Sequence, residues 1–209
     1  MELTTDSFSD GAVIPDQYAF AIPDPETHVT LSSNRNPHLS WSGAPQGTQS
    51  FAVICHDPDV PSRGDDVNQE GREVPSDLPR VDFFHWVLVD LPGHLSEIAE
   101  GEYCDGVVAG GQQAAQGPHG SRQGINDYTG WFSGDPDMEG DYYGYDGPAP
   151  PWNDSIIHHY IFTLYALDAE TTDVSDAFTG ADLRSAIEGH VLAEASVGGT
   201  YSLNPRLRD

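Results

Sequence analysis

At 209 residues the chain is long enough to bury one sizeable core, and neither a linker nor an internal repeat divides it, so 1–209 reads as a single domain. It carries 34 acidic residues against 8 basic ones, a formal net charge of −26, and no lysine; this excludes nucleic acid and anionic membrane surfaces, which are held through basic patches, as partners. Hydrophobic content of 37% and aromatic content of 10%, arranged in periodic runs, argue against the disorder that such acidity would otherwise suggest.

In chain order, the first residues, MELTTDSFSD, lack a basic start and an apolar run. No later stretch approaches the roughly 20 apolar residues that span a bilayer, which favours a soluble, cytoplasmic protein without stable membrane insertion. Short strand-like segments recur between turn signals: Val29 to Leu31, His38 to Trp41, Phe51 to His56, Phe84 to Leu91, His159 to Leu167 and Leu192 to Ser196. That punctuation predicts a mainly β fold. Phe51-Ala52-Val53-Ile54-Cys55 is a continuous apolar run and Phe84 to Val89 is nearly so, which suits strands covered on both faces. Between and after them, Ser62 to Asp82 and Gly106 to Asp146 carry glycine, proline and charge without steady period, as functional or flexible loops do. Near the end, Thr179 and Asp182 form a T-x-x-D cap ahead of Leu183 and Ile187, with Gly189 as a stop, and predict one helix. Cys55 and Cys104 fit no metal spacing, and a chain of this size does not depend on a disulfide, so two buried free thiols are expected.

The carboxylates are scattered along the chain rather than gathered in a tail, so the whole surface is acidic. A high-salt cytoplasm explains this: at about 1 M salt the Debye length is only about 3 Å, and self-repulsion is largely screened.

Three segments carry candidate chemistry. Asp57 follows directly on an apolar strand and precedes Pro58, which places it at a strand end; read alone, it is more often a turn cap. His85 lies inside an apolar strand, where a histidine is more often a satisfied core residue. The stretch GYDGPAPPWNDSIIHHY, Gly144 to Tyr160, is a loop stiffened by Pro148, Pro150 and Pro151 and running into a strand. Alternation puts His158 and Tyr160 on one face and His159 on the other. His85, His158, the Tyr160 hydroxyl and backbone N–H groups near Gly147 could donate to an anion, while Asp57 could fix an imidazole or meet an ammonium.

DPDVPSR from Asp57, FHWVLVD from Phe84, and GPAPP from Gly147 followed by HHYIFTLYALD, in this order, together with GINDY at Gly124 to Tyr128 and LRSAIEGHVLAEASVGGTY near the end, resemble the signatures of the phosphatidylethanolamine-binding protein family, in its Raf kinase inhibitor-like branch. The resemblance covers almost the whole chain. It implies a large central antiparallel sheet packed on a smaller sheet, with short helices at the edge and C-terminus. It also implies a surface pocket for phosphate or a phosphoethanolamine head group, formed by Asp57, His85, Gly147, Pro148, His158 and Tyr160, with Phe83 and Pro151 adding an apolar wall. A homodimer is implied on the same ground alone. Four features depart from the family pattern: His159 stands where arginine is common, TGWFSGDPDMEGDYYGYD intervenes between GINDY and the Gly-Pro loop, Ala149 replaces a cysteine, and WNDSII lengthens the loop after Pro151 and lacks the usual glycine. Trp152, Tyr142, Tyr143 and Tyr145 could lid the pocket, pack on a neighbouring subunit, or anchor a long acidic loop.

The expected function is non-catalytic, cofactor-free binding of a small anionic ligand, with a regulatory role. One alternative is a protein-interaction inhibitor of a kinase or protease, with a protein partner at the aromatic patch. Another is a hydrolase in which Asp57, His85 and His158 do acid/base work, although G-x-S-x-G, C-x-x-C and H-E-x-x-H are all absent.

Overall fold

A computed structural model describes residues 1–208. Its strands are β1 (Glu2–Thr4), β2 (Ala21–Asp24), β3 (His28–Leu31), β4 (Leu39–Ser42), β5 (Ser50–Pro61), β6 (Arg80–Pro92), β7 (Glu97–Ile98), β8 (Arg122–Gln123), β9 (His158–Leu167) and β10 (Val191–Tyr201). The helices are short, α1 (Tyr128–Trp131) and α2 (Gly180–Ala186). The main sheet is antiparallel in the order β10-β9-β5-β6-β8; β1-β4-β7 form a smaller sheet and β2-β3 a hairpin.

The apolar runs explain why β5 and β6 are central. Alternation along β5 sends Phe51, Val53 and Cys55 into the larger core with Trp41 of the small sheet, and Ala52 and Ile54 into a second core with Phe178, Leu183 and Ile187. The sheet is therefore sandwiched, with α2 closing the second face. That helix starts where the cap predicts: the Asp182 N–H donates to Thr179 Oγ1 (3.3 Å) and the Thr179 N–H donates to Asp182 Oδ2 (2.9 Å). Gly189 sits beyond its end at a φ of 84°.

Two irregularities in the β5–β6 ladder position the site. Cys55 pairs with Trp86 and His56 with Phe84, so His85 has no opposite number; on the other strand, Asp57 pairs with Phe83 and Val60 with Val81, leaving an extra residue between them. Bulges of this kind bend a strand and re-aim side chains. They also correct the expectation that Asp57 ends a strand. The bulge absorbs Pro58, whose missing N–H would break a regular ladder, and β5 continues to Pro61. The segments missed in the sequence, β1, β2, β7 and β8, run to no more than 4 residues each, too short for a period to show.

Candidate functional site

A cleft of about 640 Å³ opens beside these bulges, between the β2–β3 hairpin, the β5–β6 end of the main sheet and the loop through Ala149, Pro150 and Pro151. Its walls are largely apolar, and Asp57, His85 and Tyr160 are polar residues in its lining.

Asp57 is 1% exposed. Its Oδ1 accepts from the Asp59 N–H (2.7 Å), an Asx turn across the bulge, and its Oδ2 accepts from His158 Nδ1 (2.7 Å). The other ring nitrogen, His158 Nε2, donates to Asp154 Oδ2 (3.1 Å), and the same oxygen accepts from Arg80 Nη1 (2.6 Å). With a carboxylate at each nitrogen, both must carry hydrogen, so His158 is an imidazolium. Burial pulls its pKa down, but Asp154 and Asp57 outweigh that and hold it up at about 9. Asp154 is buried too, yet His158 and Arg80 keep its carboxyl below the usual range. The result is a buried relay, Asp57–His158–Asp154–Arg80, whose formal charges cancel.

His85 is fixed differently. Its Nδ1 donates to the Asp146 carbonyl (2.7 Å), and the Asp146 N–H donates back to the His85 carbonyl (2.9 Å). A carbonyl only accepts, so Nδ1 carries the hydrogen and the neutral ring keeps its lone pair on Nε2, which has no partner among the described residues. Burial brings this histidine down to about 4, against the pull of Asp57, so it is uncharged near neutrality. Tyr160 stands edge-on to it, ring centroids 5.1 Å apart. The Tyr160 hydroxyl is buried with no partner in hydrogen-bond geometry among the described residues; it faces Asp57, and burial together with that carboxylate keeps it fully protonated.

The expected site residues thus fall into two layers. Asp57, His85, Tyr160, Phe83 and Pro151 line the cleft, while His158, Gly147 and Pro148 stand behind it. His158 has both nitrogens engaged, so the donor role expected of it is not available in this arrangement. The Gly147 N–H, expected to face an anion, donates to Asn34 Oδ1 (2.8 Å). Glycine is required there because a Cβ would lie 2.0 Å from the Tyr18 carbonyl oxygen; the close approach is to protein backbone. The Pro148 carbonyl accepts from the N–H groups of Phe20 and Ala21, tying the loop to the hairpin. His159 projects outward onto Asp59 (2.8 Å), as alternation requires.

The aromatics of the long segment are anchors. Tyr142 and Tyr145 are buried, with hydroxyls donating to the carbonyls of Met138 (2.7 Å) and Tyr18 (2.6 Å), and Trp152 stacks on His28 at 3.9 Å. Cys55 and Cys104 are free and buried; burial pushes Cys104 up to about 12 and Cys55 well up, so neither is a thiolate near neutrality.

Sequence reasoning missed Asp146, Asp154, Arg80, Asn34 and Asn126. The Asp146 carboxylate accepts from Asn34 Nδ2 and Asn126 Nδ2, both at 2.8 Å, and its place directly before GPAPP was the one available hint. Burial raises its pKa to about 7 against those two donors. Among the described residues, no three His, Cys, Asp or Glu side chains form a group that could hold a metal ion, and no helix is long and apolar enough to cross a membrane.

Residues 4–202 match the family model described as phosphatidylethanolamine-binding protein. The UPF0098 protein YbhB of Escherichia coli is 31% identical over 202 residues, covering 97% of this chain and all of that one. A UPF0098 protein of Methanothermobacter thermautotrophicus is 34% identical over 201 residues, covering 96% and 98%. Among solved structures, Escherichia coli YbcL, described as a new member of the mammalian PEBP family, superposes with a TM-score of 0.68 at 25% identity, covering 96% of this chain and 97% of its own. A phosphatidylethanolamine-binding protein homologue of Chlamydia trachomatis gives 0.64 at 27%, covering 96% of each chain.

Proposed function

This chain belongs to the phosphatidylethanolamine-binding protein family, a family of ligand-binding proteins, and on that premise we propose that it binds, without catalysis, a small ligand whose head is a phosphate-type anion. The observation that carries this reading is the unfilled hydrogen-bonding capacity in the cleft lining: the partnerless Tyr160 hydroxyl, the lone pair of His85 Nε2 and the remaining lone pairs of Asp57. A buried hydroxyl left unpaired costs about 1–3 kcal/mol, which a bound acceptor returns. Non-catalytic binding is supported by the two cysteines, both thiols rather than thiolates, and by His158, whose ring is engaged on both sides and has no proton to give or take near neutrality.

The charge state of the lining sets how an anion is held. The relay is neutral overall and His85 is uncharged, so no permanent positive charge faces the cleft. A phosphate monoester dianion, which has no P–OH, therefore takes up one proton from solution, on its own oxygen or on His85 Nε2. In the bound state one P–OH or one His85 N–H bridges phosphate and protein, while the Tyr160 hydroxyl donates to a free oxygen. The complex holds one proton more than protein plus dianion. Affinity accordingly falls by up to about tenfold per pH unit above the second phosphate pKa of about 6, and levels off below it, where the monoanion already carries that proton. Calorimetric titration with phosphoethanolamine between about pH 5.5 and 8.5 tests this, with Asp57→Ala and His85→Ala abolishing the signal. A pH-independent affinity would sink the proposal.

A further inference from the structure

Three polar residues in the cleft lining are almost out of reach of water: Asp57 and Tyr160 are 1% exposed and His85 3%. A ligand head can meet them only if a wall moves. The wall free to do so is the β2–β3 hairpin, which contributes Thr27, Val29 and Thr30 to the lining, while Val67 and Asn68, from the segment after β5, form part of another wall. At its base the hairpin is tied down: the N–H groups of Phe20 and Ala21 donate to the Pro148 carbonyl (2.9 and 3.3 Å), and the Tyr201 hydroxyl donates to the Ala21 carbonyl (3.1 Å). Over residues 22–31, by contrast, one hydrogen bond leaves the hairpin among the described residues: His28 Nε2 donates to Glu70 Oε1 (2.6 Å). The His28 ring also lies flat on Trp152, with centroids 3.9 Å and planes 8° apart. The rest of the support is apolar contact, such as Val29 against the larger core, which separates without breaking a hydrogen bond.

The side that receives His28 is fixed. The Asn68 N–H donates to Asn153 Oδ1 (2.9 Å), the Trp152 N–H donates to Asn68 Oδ1 (3.0 Å), and buried Asn153 donates through Nδ2 to the carbonyls of Asp66 (2.9 Å) and Arg72 (3.1 Å). Trp152 and Glu70 therefore stand on two segments stitched to each other. His28 itself has a φ of 67°, a backbone conformation that glycine takes freely and histidine at a cost, and a side chain kept in such a place points to a role. Asp24 Oδ1 holds the turn before it by accepting from the N–H groups of Glu26 (2.9 Å) and Thr27 (2.8 Å). We propose that the β2–β3 hairpin is a hinged gate over the cleft, latched at its tip by His28 on Trp152 and Glu70. Latched, it seals the polar lining; released, it swings about its base at Pro148 and admits the ligand. One aromatic stack and one solvent-exposed contact to a carboxylate together bias the gate toward closure by only about tenfold, so it is mostly shut yet opens readily. The identity of what passes the gate rests on the head-group reading above.

The test is amide hydrogen exchange of the ligand-free full chain near neutral pH, comparing the wild type with Trp152→Ser combined with Glu70→Ala. Both substitutions lie opposite the hairpin and leave its own sequence intact. A two-stranded hairpin lifted off its support is marginal in water, so exchange of its ladder amides reports opening. Amides of residues 22–31 are expected to exchange about tenfold faster in the variant, with those of β9, α2 and residues 62–79 at wild-type rates. His28→Gly releases the latch from the other side and suits the positive φ, so it keeps the turn and is expected to speed exchange along β2 to a similar degree. In stopped-flow mixing, phosphoethanolamine should associate with either variant about fivefold faster or more, because the fraction of open protein rises. Hairpin amides at wild-type rates in both variants overturn the gate, as does a rise shared equally by residues 62–79 and β9, which would be general loosening. Faster hairpin exchange with unchanged association also overturns it. Failure of phosphoethanolamine to bind the wild type and both variants overturns the head-group reading instead, and exchange alone then decides the gate.

Discussion

His158 is expected to be the principal alkaline stability switch of the protein. In the folded chain it titrates at about 9, held by Asp154 and Asp57, against about 6.5 when unfolded. A folded pKa raised above the unfolded one adds stability that is complete below pH 6.5 and is lost as pH rises through 9. The size follows from the shift: at 1.36 kcal/mol per unit, about 3 kcal/mol disappears across that window. The other titrating groups leave it clear up to about pH 8, above which the two buried thiols, raised by burial over an unfolded value of about 8.5, add a smaller loss of their own. Asp146, raised to about 7, has lost its own contribution by then, and His85, depressed to about 4, costs stability only on the acid side, below pH 6.5. Urea unfolding of the wild type at pH 7 and at pH 9 should therefore show the fall in stability. His158→Gln leaves Asp57 and Asp154 buried without their shared cation, and breaking a buried pair this way costs about 3–5 kcal/mol at pH 7. The variant should also lose the larger part of the alkaline drop, keeping only the share that the two buried thiols contribute. A variant as stable as the wild type at pH 7, or one that keeps the full drop to pH 9, would refute the relay as the source.

Two further substitutions separate binding from folding. Tyr160→Phe removes a buried hydroxyl that has no hydrogen-bond partner among the described residues, so thermal unfolding should stay level or shift slightly upward while phosphate affinity drops by about tenfold; a clear loss of stability would mean that the hydroxyl already has a partner, Asp57 being the nearest acceptor. Gly147→Ala forces a methyl group against the Tyr18 carbonyl and should destabilise by about 3 kcal/mol or prevent folding, read as a lowered unfolding midpoint or absence of soluble protein; wild-type stability would show that the GPAPP loop yields easily.

Much of this was legible because it depends on local periodicity. The cap of α2, the double-sided burial of β5 and the burial of His158 and Tyr160 with His159 outside all follow from counting by 2 or 3.6 along the chain. What was not legible depends on register between distant segments. His85 looks like any histidine in an apolar strand until the ladder slips a residue beside it, and nothing in FHWVLVD signals that slip. The partners of His158 lie 101 residues away, at Asp57, and 4 away, at Asp154, while Arg80 reaches Asp154 across 74 residues. Gly147 shows a third kind of gap. The sequence correctly signals a position needing close backbone approach, but cannot say whether ligand or protein does the approaching.

The electrostatics connect these parts. A chain with a net charge of −26 is a poor host for an anion at long range, and the relay does not compensate, since Arg80 and His158 are each matched by a carboxylate. What the relay does is hold Asp57 rigid and keep its Oδ2 occupied, so that one carboxylate can stand beside a proposed anion site without its full charge facing the ligand. Asp146 acts on the other wall through its backbone alone. By accepting from Nδ1 it fixes the His85 tautomer, and its own carboxylate is turned away onto Asn34 and Asn126. Selectivity in such a cleft comes less from net attraction than from proton placement. Asp57 and neutral His85 accept, Tyr160 can donate, and a ligand head must present both a donor and an acceptor to satisfy all three. A singly protonated phosphate ester presents both, whereas sulfate and chloride bring no proton of their own, and this sets the phosphate-type head apart from the simple anions that any acidic protein meets in salt.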